Sequence, residues 1–162
     1  MFSFFYLSRV KCLMGIVGLV LVMALGACSS DTSADNDVSL KGQWDSEWDG
    51  YIINDTTLEF IDDFGFAYKG DIKHINEFSS NSGVVIIKYT QFPSGNDQSK
   101  PYTAVYYRNL TTGTVQLANV INLGVFTSAD TETLEEALAK FTLGQMGNFV
   151  DWSVVQPYTR VD

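Results

Sequence analysis

From Leu40 onward, one stretch of this 162-residue chain repeats its apolar side chains with the period of a helix. Elsewhere, short runs of β-branched and aromatic residues break at Gly, Asn, Asp or Pro, which is the signature of strands and turns. Residues 57–61 (TLEFI), 84–90 (VVIIKYT), 102–110 (YTAVYYRNL) and 114–120 (TVQLANV) read as strands, the last two forming a hairpin around Thr111-Thr112-Gly113. Asp49-Gly50, between Trp48 and Tyr51, is a strong hairpin-turn signal. Residues 66–78 alternate, with Tyr68, Gly70, Ile72, His74 and Phe78 on one face and Lys69, Asp71, Lys73 and Glu77 on the other. Gln91 to Pro101 reads as a long exposed loop, and residues 149–158 (FVDWSVVQPY) as a final strand broken at Pro157. The single helix starts at Thr133-Leu-Glu-Glu136, a capping box, carries Leu134, Ala137, Leu138 and Phe141 on one stripe, and ends at Gly144. There is no internal repeat. Short antiparallel strands with one late helix and a closing strand imply a barrel or a sandwich, because closure removes exposed strand edges.

The first residues are expected to stand outside that fold. Arg9 and Lys11 precede an uncharged apolar run, Cys12 to Leu25, followed by Leu25-Gly26-Ala27-Cys28. This is the layout of a secretory signal peptide, with small residues before the cleavage point. Leu-Gly-Ala-Cys resembles the lipobox of bacterial lipoproteins. The resemblance implies cleavage after residue 27, acylation of Cys28 and a membrane anchor through the N-terminal lipid. Ser29 in the next position implies the outer membrane. The polar, acidic residues 29–39 (SSDTSADNDVS) read as a disordered tether. The chain therefore divides into a signal peptide (1–27), a lipidated Cys and tether (28–39) and a domain (40–162).

Residues 1–27 hold Arg9 and Lys11 and no acid, so without them the 10 Lys and Arg become 8 against 19 Asp and Glu, a net charge of −11. Such a surface repels nucleic acid and attracts cationic partners. No cysteine follows Cys28, which excludes a disulfide framework, a thiolate metal site and a thiol nucleophile in the domain.

Gly42-Gln-Trp44 opens the domain, a helix precedes the last strand, and Arg160 lies just beyond that strand. This order resembles the lipocalin-like families, in which Gly-x-Trp begins the first strand. The resemblance implies a mainly β fold: a small antiparallel calycin-type barrel, complete or part-open. Trp44 would plug one end and Arg160 would stack over it. The chain also resembles small bacterial lipoproteins of unassigned function that carry such domains.

The acidic residues within GQWDSEWDG suggest a calcium loop: Asp45, Glu47 and Asp49 with Gly50 match its first half. The twelfth position is Thr56, which offers no carboxylate, and flanking helices are missing. A solvated acidic face explains these residues, and no metal is expected. His74, the only histidine, is either a polar group in a ligand cavity, a general base, or a hydrogen-bonded barrel histidine. One histidine cannot build a multi-His zinc site, and no Gly-x-Ser-x-Gly, His-Glu-x-x-His or P-loop pattern occurs. Asp62 and Asp63 are neighbours that point apart on a strand, so they suit a turn better than paired catalysis. Lys88 and Arg108 either lie on the solvated face or reach inside to bind an anionic head group.

The reading that follows is a non-enzymatic, membrane-anchored barrel without cofactor that binds a small apolar or amphipathic molecule. Tyr68, Ile72, His74, Tyr89, Tyr106 and Trp152 are its candidate lining. The alternative is an acidic module docking a cationic protein, through its charge and the loop 91–101.

Overall fold

The computed structural model of the protein describes residues 38–161. The signal peptide, Cys28 and all but the last two residues of the tether lie outside the described residues.

The fold is mainly β: a closed antiparallel barrel of eight strands with one short helix before the last. The wall runs as a meander through β1 (Gly42–Asp45), β2 (Asp49–Ile53), β3 (Thr57–Asp62), β4 (Ala67–Ser79), β5 (Ser82–Gln91), β6 (Tyr102–Arg108) and β7 (Thr114–Asn119). The last strand, β10 (Pro157–Val161), fits between β7 and β1 and closes the ring. Between β7 and β10 lie a two-stranded ribbon, β8 (Ile121–Asn122) with β9 (Thr127–Ser128), then helix α1 (Leu134–Lys140) and a 3-10 helix (Leu143–Asn148).

Strand alternation builds two separate apolar cores. Val85, Ile87 and Tyr89 of β5, Val105 and Tyr107 of β6, and Val115 and Leu117 of β7 point inward. They meet Trp44, Tyr51, Leu58, Phe60 and Tyr68 from the other strands. The intervening residues Val84, Ile86, Ala104, Tyr106 and Ala118 point outward and are covered by Ala137, Phe141, Phe149 and Val150. This is why 84–90 and 102–108 are apolar on both faces: one face fills the barrel and the other receives the helix.

The capping box forms. Thr133 Oγ1 accepts from the Glu136 amide at 3.2 Å, while Glu136 Oε2 accepts from the Thr133 amide at 3.3 Å. Ala137 and Phe141 are buried, the Phe141 ring contributing about 2 kcal/mol through its removal from water. Leu138, expected on the same stripe, is 40% exposed. The α-helix stops at Lys140 rather than Gly144, because Phe141 leaves helical geometry and packs on Phe149, ring centroids 5.5 Å apart.

Two turn positions differ from expectation. Gly50 lies within β2, opposite Asp45, and the reversal falls earlier, at Ser46 to Trp48. Ser46 Oγ accepts from the amides of Trp48 and Asp49, both at 3.2 Å, and this side-chain capping decides the turn. Pro157 begins the final strand and does not break it; residues 149–156 are irregular. Pro is tolerated at a strand's first position, where the ladder does not need its missing N–H.

At the end where the chain enters the domain, Trp44 is fully buried and donates from Nε1 to the Leu40 carbonyl at 2.8 Å. The Arg160 guanidinium lies 4.6 Å from the centre of its indole ring and donates to the Lys41 carbonyl at 2.8 Å. Gly42 adopts φ +143°, and a Cβ there would sit 3.4 Å from Arg160 Nε. The positive φ calls for glycine at that position, while the contact with Arg160 is an ordinary one.

Candidate functional site: an aromatic mouth in the barrel

The opposite end of the barrel is less complete, because β10 begins only at Pro157. The β7–β10 ladder pairs Thr114, Val115 and Gln116 with Thr159, Tyr158 and Pro157 and stops there. Leu117, Ala118 and Asn119 have no partner in β10, because the chain before Pro157 runs outside, with Phe149 and Val150 held in the outer core. The β1–β2 turn and the upper half of β7 thus flank a cavity of ≈ 980 Å³. Tyr51, Leu117, Asn119 and Tyr158 belong to its wall, as do Trp48 of the turn, Phe126 of the ribbon tip and Val154.

The interior below the mouth is packed. A belt of rings crosses the barrel: Tyr158 to Tyr51 (5.2 Å between centroids), Tyr51 to Phe60 (4.9 Å), Phe60 to Tyr68 (5.3 Å) and Tyr68 to Tyr89 (5.5 Å). Their hydroxyls converge on few acceptors. Tyr51 and Tyr68 both donate to Asn119 Oδ1, at 2.9 and 2.5 Å. Burial pushes both phenols well above the ordinary tyrosine value, and it raises Tyr158 and Tyr89 in the same way. These groups therefore remain neutral hydrogen-bonding phenols at physiological pH.

A second cavity of ≈ 270 Å³ shares Asn119, Ile121 and Phe126 with the first and reaches Tyr68 and Tyr89. Beside it, Asp130 accepts from Tyr89 (3.4 Å) and from Asn96 Nδ2 (2.9 Å). Burial raises the Asp130 carboxyl, against the opposing effect of its hydrogen bonds. The loop 91–101 is largely exposed, as expected, and the Asn96 contact and the Phe92 ring, 4.9 Å from Tyr89, anchor it to the barrel. Large apolar side chains crown this end: Trp48 is 57% exposed, Phe64 82% and Phe126 79%, with Trp48 stacked on Phe64 at 6.5 Å.

The six residues expected to share one lining separate into two groups. Tyr68, Ile72 and Tyr89 belong to the inner core or pack against it. His74, Tyr106 and Trp152 do not. The register between β4 and β5 shifts between Ile72 and His74, so Ile72 opposes Ile87 and His74 opposes outward-facing Ile86. Lys73 is the extra residue of this bulge, which moves the side chains that follow, as far as the next register shift after Glu77, to the other face. His74 is accordingly exposed. Tyr106 alternates outward under α1, donates to the Thr142 carbonyl at 3.0 Å, and is pushed up to about 12 by burial. Trp152 packs against the outer core beneath Arg108, whose guanidinium lies 4.4 Å from its ring. Arg108 is engaged there by Gln116 (2.9 Å), and Lys88 is exposed beside Tyr102, so neither supplies an inward anion site.

Sequence reasoning missed Tyr51, Asn119, Asp130 and Tyr158. A signal existed for one: Asn119 alternates with Val115 and Leu117, which makes it a polar group on an apolar face. Among the described residues, no group of three or more His, Cys, Asp or Glu could hold a metal ion. The arrangement offers an apolar, aromatic recess with neutral hydrogen-bonding groups at its base.

No family model, no curated protein and no solved structure matches the chain.

Proposed function

We propose that the protein is a lipid-anchored cell-envelope protein whose barrel binds one small apolar or amphipathic molecule at its mouth and catalyses no reaction. The observation that carries the binding reading is the ≈ 980 Å³ recess lined by Tyr51, Leu117, Phe126 and Tyr158. Its volume falls within the range of about 300–1,000 Å³ typical of small-molecule sites. The packed core below it confines binding to the mouth. Gly42, Trp44 and Arg160 support the lipocalin-like reading of the closed end. Leu25-Gly26-Ala27-Cys28 supports the anchor and the outer-membrane address.

Residues 38–161 close their own barrel and both of its cores, so residues 29–162 can be studied as a separate protein. Titration with the neutral probe N-phenyl-1-naphthylamine should give saturable, single-site binding. Val154→Trp, which places a ring in the recess at a position 70% exposed, should weaken it without altering stability. Absence of saturable binding, or indifference to Val154→Trp, removes the reading. For the anchor, Cys28→Ala in the full chain should abolish incorporation of labelled fatty acid.

Docking of a cationic protein is the second reading. The charge of −11 on residues 28–162 and the exposed Trp48, Phe64 and Phe126 favour it. Residues 91–101 keep most of their side chains exposed, although Phe92 and Asn96 anchor the loop to the barrel. Retention on a basic protein at moderate salt would support it.

A further inference from the structure

The wall of the mouth recess carries charge of one sign. Glu47 of the β1–β2 turn and Asp49 just after it line one side and Asp151 of the irregular segment before β10 another, and among the described residues the lining holds no Lys, Arg or His. The acids thus come from two separate elements of the wall. Asp151 is fixed as a carboxylate: Ser153 donates from its amide at 3.0 Å and from Oγ at 2.7 Å, and these bonds hold it below the ordinary carboxylate range. Two cations lie nearby but are turned to other partners. Lys140 is 5.5 Å from the Phe149 ring but gives its ammonium to the Ala129 carbonyl, and Arg108 is taken by Gln116 and Trp152.

The rest of the wall suits an organic cation. Trp48, Tyr51, Phe126, Phe149 and Tyr158 contribute rings to the recess. An aromatic face attracts an alkylated ammonium while its methyl groups bury apolar area. An anionic head in the same place would meet carboxylates with no compensating donor cation, which is a penalty built against that class.

Building on the binding reading, we infer that the mouth recess selects amphiphiles with a cationic, alkylammonium-type head and rejects anionic ones of equal chain length. The alkyl chain lies against Leu117, Ile121 and Val155, and the head faces the carboxylates and rings at the rim.

The test is competition for N-phenyl-1-naphthylamine bound to residues 29–162. Dodecyltrimethylammonium and dodecyl sulfate are compared below their micelle concentrations, in about 0.15 M salt, where the general surface field is screened within about 8 Å. The ammonium should displace the probe at a concentration at least about tenfold lower than the sulfate, the scale of one desolvated cation–aromatic contact. Glu47→Gln with Asp151→Asn should at least halve that preference, the rings and Asp49 holding the remainder, with the probe's own affinity for the variant measured first so that displacement is compared on equal terms. Asp71→Asn with Glu77→Gln makes the same charge change on β4, outside the recess, and should leave the preference intact. Equal competition by the sulfate overturns the inference, as does a loss of preference in the β4 variant matching that of the recess variant. If the probe itself does not bind, the binding reading falls; if it binds and the head group makes no difference, only the charge selection falls.

Discussion

Replacing Asn119 by Leu tests how the base of the mouth is held together. Asn119 Oδ1 accepts two phenolic protons, from Tyr51 at 2.9 Å and Tyr68 at 2.5 Å. Tyr51 is 1% exposed and Tyr68 3%, so neither hydroxyl has ready access to bulk water. Leucine has the heavy-atom count and branching of asparagine, so the substitution removes the acceptor in a side chain of similar outline, its bulkier methyl groups having the adjoining recess to move into. Each phenol left without a partner costs about 1–3 kcal/mol. The recesses on both sides of Asn119 admit water to part of this region, which favours the low end, and the expected loss is about 2–4 kcal/mol for the pair. Against a total of about 5–15 kcal/mol for a domain, this is a large fraction. Urea unfolding followed by tryptophan emission should show a lowered midpoint with an unchanged slope. The decisive measurement is the triple variant Asn119→Leu, Tyr51→Phe, Tyr68→Phe, which removes the orphaned hydroxyls together with their acceptor. It should recover at least half of the loss, a strong departure from additivity. If Asn119→Leu costs less than about 0.5 kcal/mol, or the triple variant is no better than the single one, the network does not hold the mouth.

Two further outcomes follow from the rest of the barrel. Arg160→Ala removes the cation from Trp44 and the donors to the Ser39 and Lys41 carbonyls; it should cost about 1–3 kcal/mol in urea unfolding and shift Trp44 emission to longer wavelength, with Arg160→Lys only partly restoring either. Asp130, raised by burial, binds its proton more tightly in the folded state than in the unfolded one, so its contribution is fully present below the unfolded pKa and is lost as pH rises through the folded value. The stability of Asp130→Asn relative to the native protein should therefore rise between acidic and neutral pH, and a difference that is flat or falls with pH refutes that assignment.

Much of the architecture was legible because it depends on local signals. The capping box at Thr133 and the turn residues Thr111-Thr112-Gly113 act within a few positions, and each marks an element that forms. The site was less legible because it depends on which face each side chain takes. Both faces of β6 are apolar, so nothing in YTAVYYR tells that Tyr107 fills the barrel and Tyr106 lies beneath a helix. In β4, one extra residue, Lys73, turns His74 away from the face of Ile72, and a bulge of this kind leaves no mark in an alternating pattern. Trp152 looked like part of a last strand because FVDWSVV is rich in β-formers, but Phe149 and Val150 are drawn to the outer core instead. The same displacement opens the wall above Pro157, so the recess arises from tertiary competition for one segment and from no motif.

The strand that closes the ring also sets the tempo at which the barrel can form. Arg160 reaches the carbonyl of Ser39, 121 positions earlier in the chain, and β10 pairs with β1 over a similar span. Bringing such distant segments together costs about 4 kcal/mol of chain entropy before any contact between them is made. The meander from β2 to β7 needs no connection longer than the ten residues between β5 and β6 and can assemble first. Until β10 arrives, the edges of β1 and β7 stay unpaired, Trp44 lacks its cation, and Tyr158 is missing from the ring belt. Refolding should therefore show tyrosine burial in the meander ahead of Trp44 burial, with the later step slow and most vulnerable to strand pairing between chains.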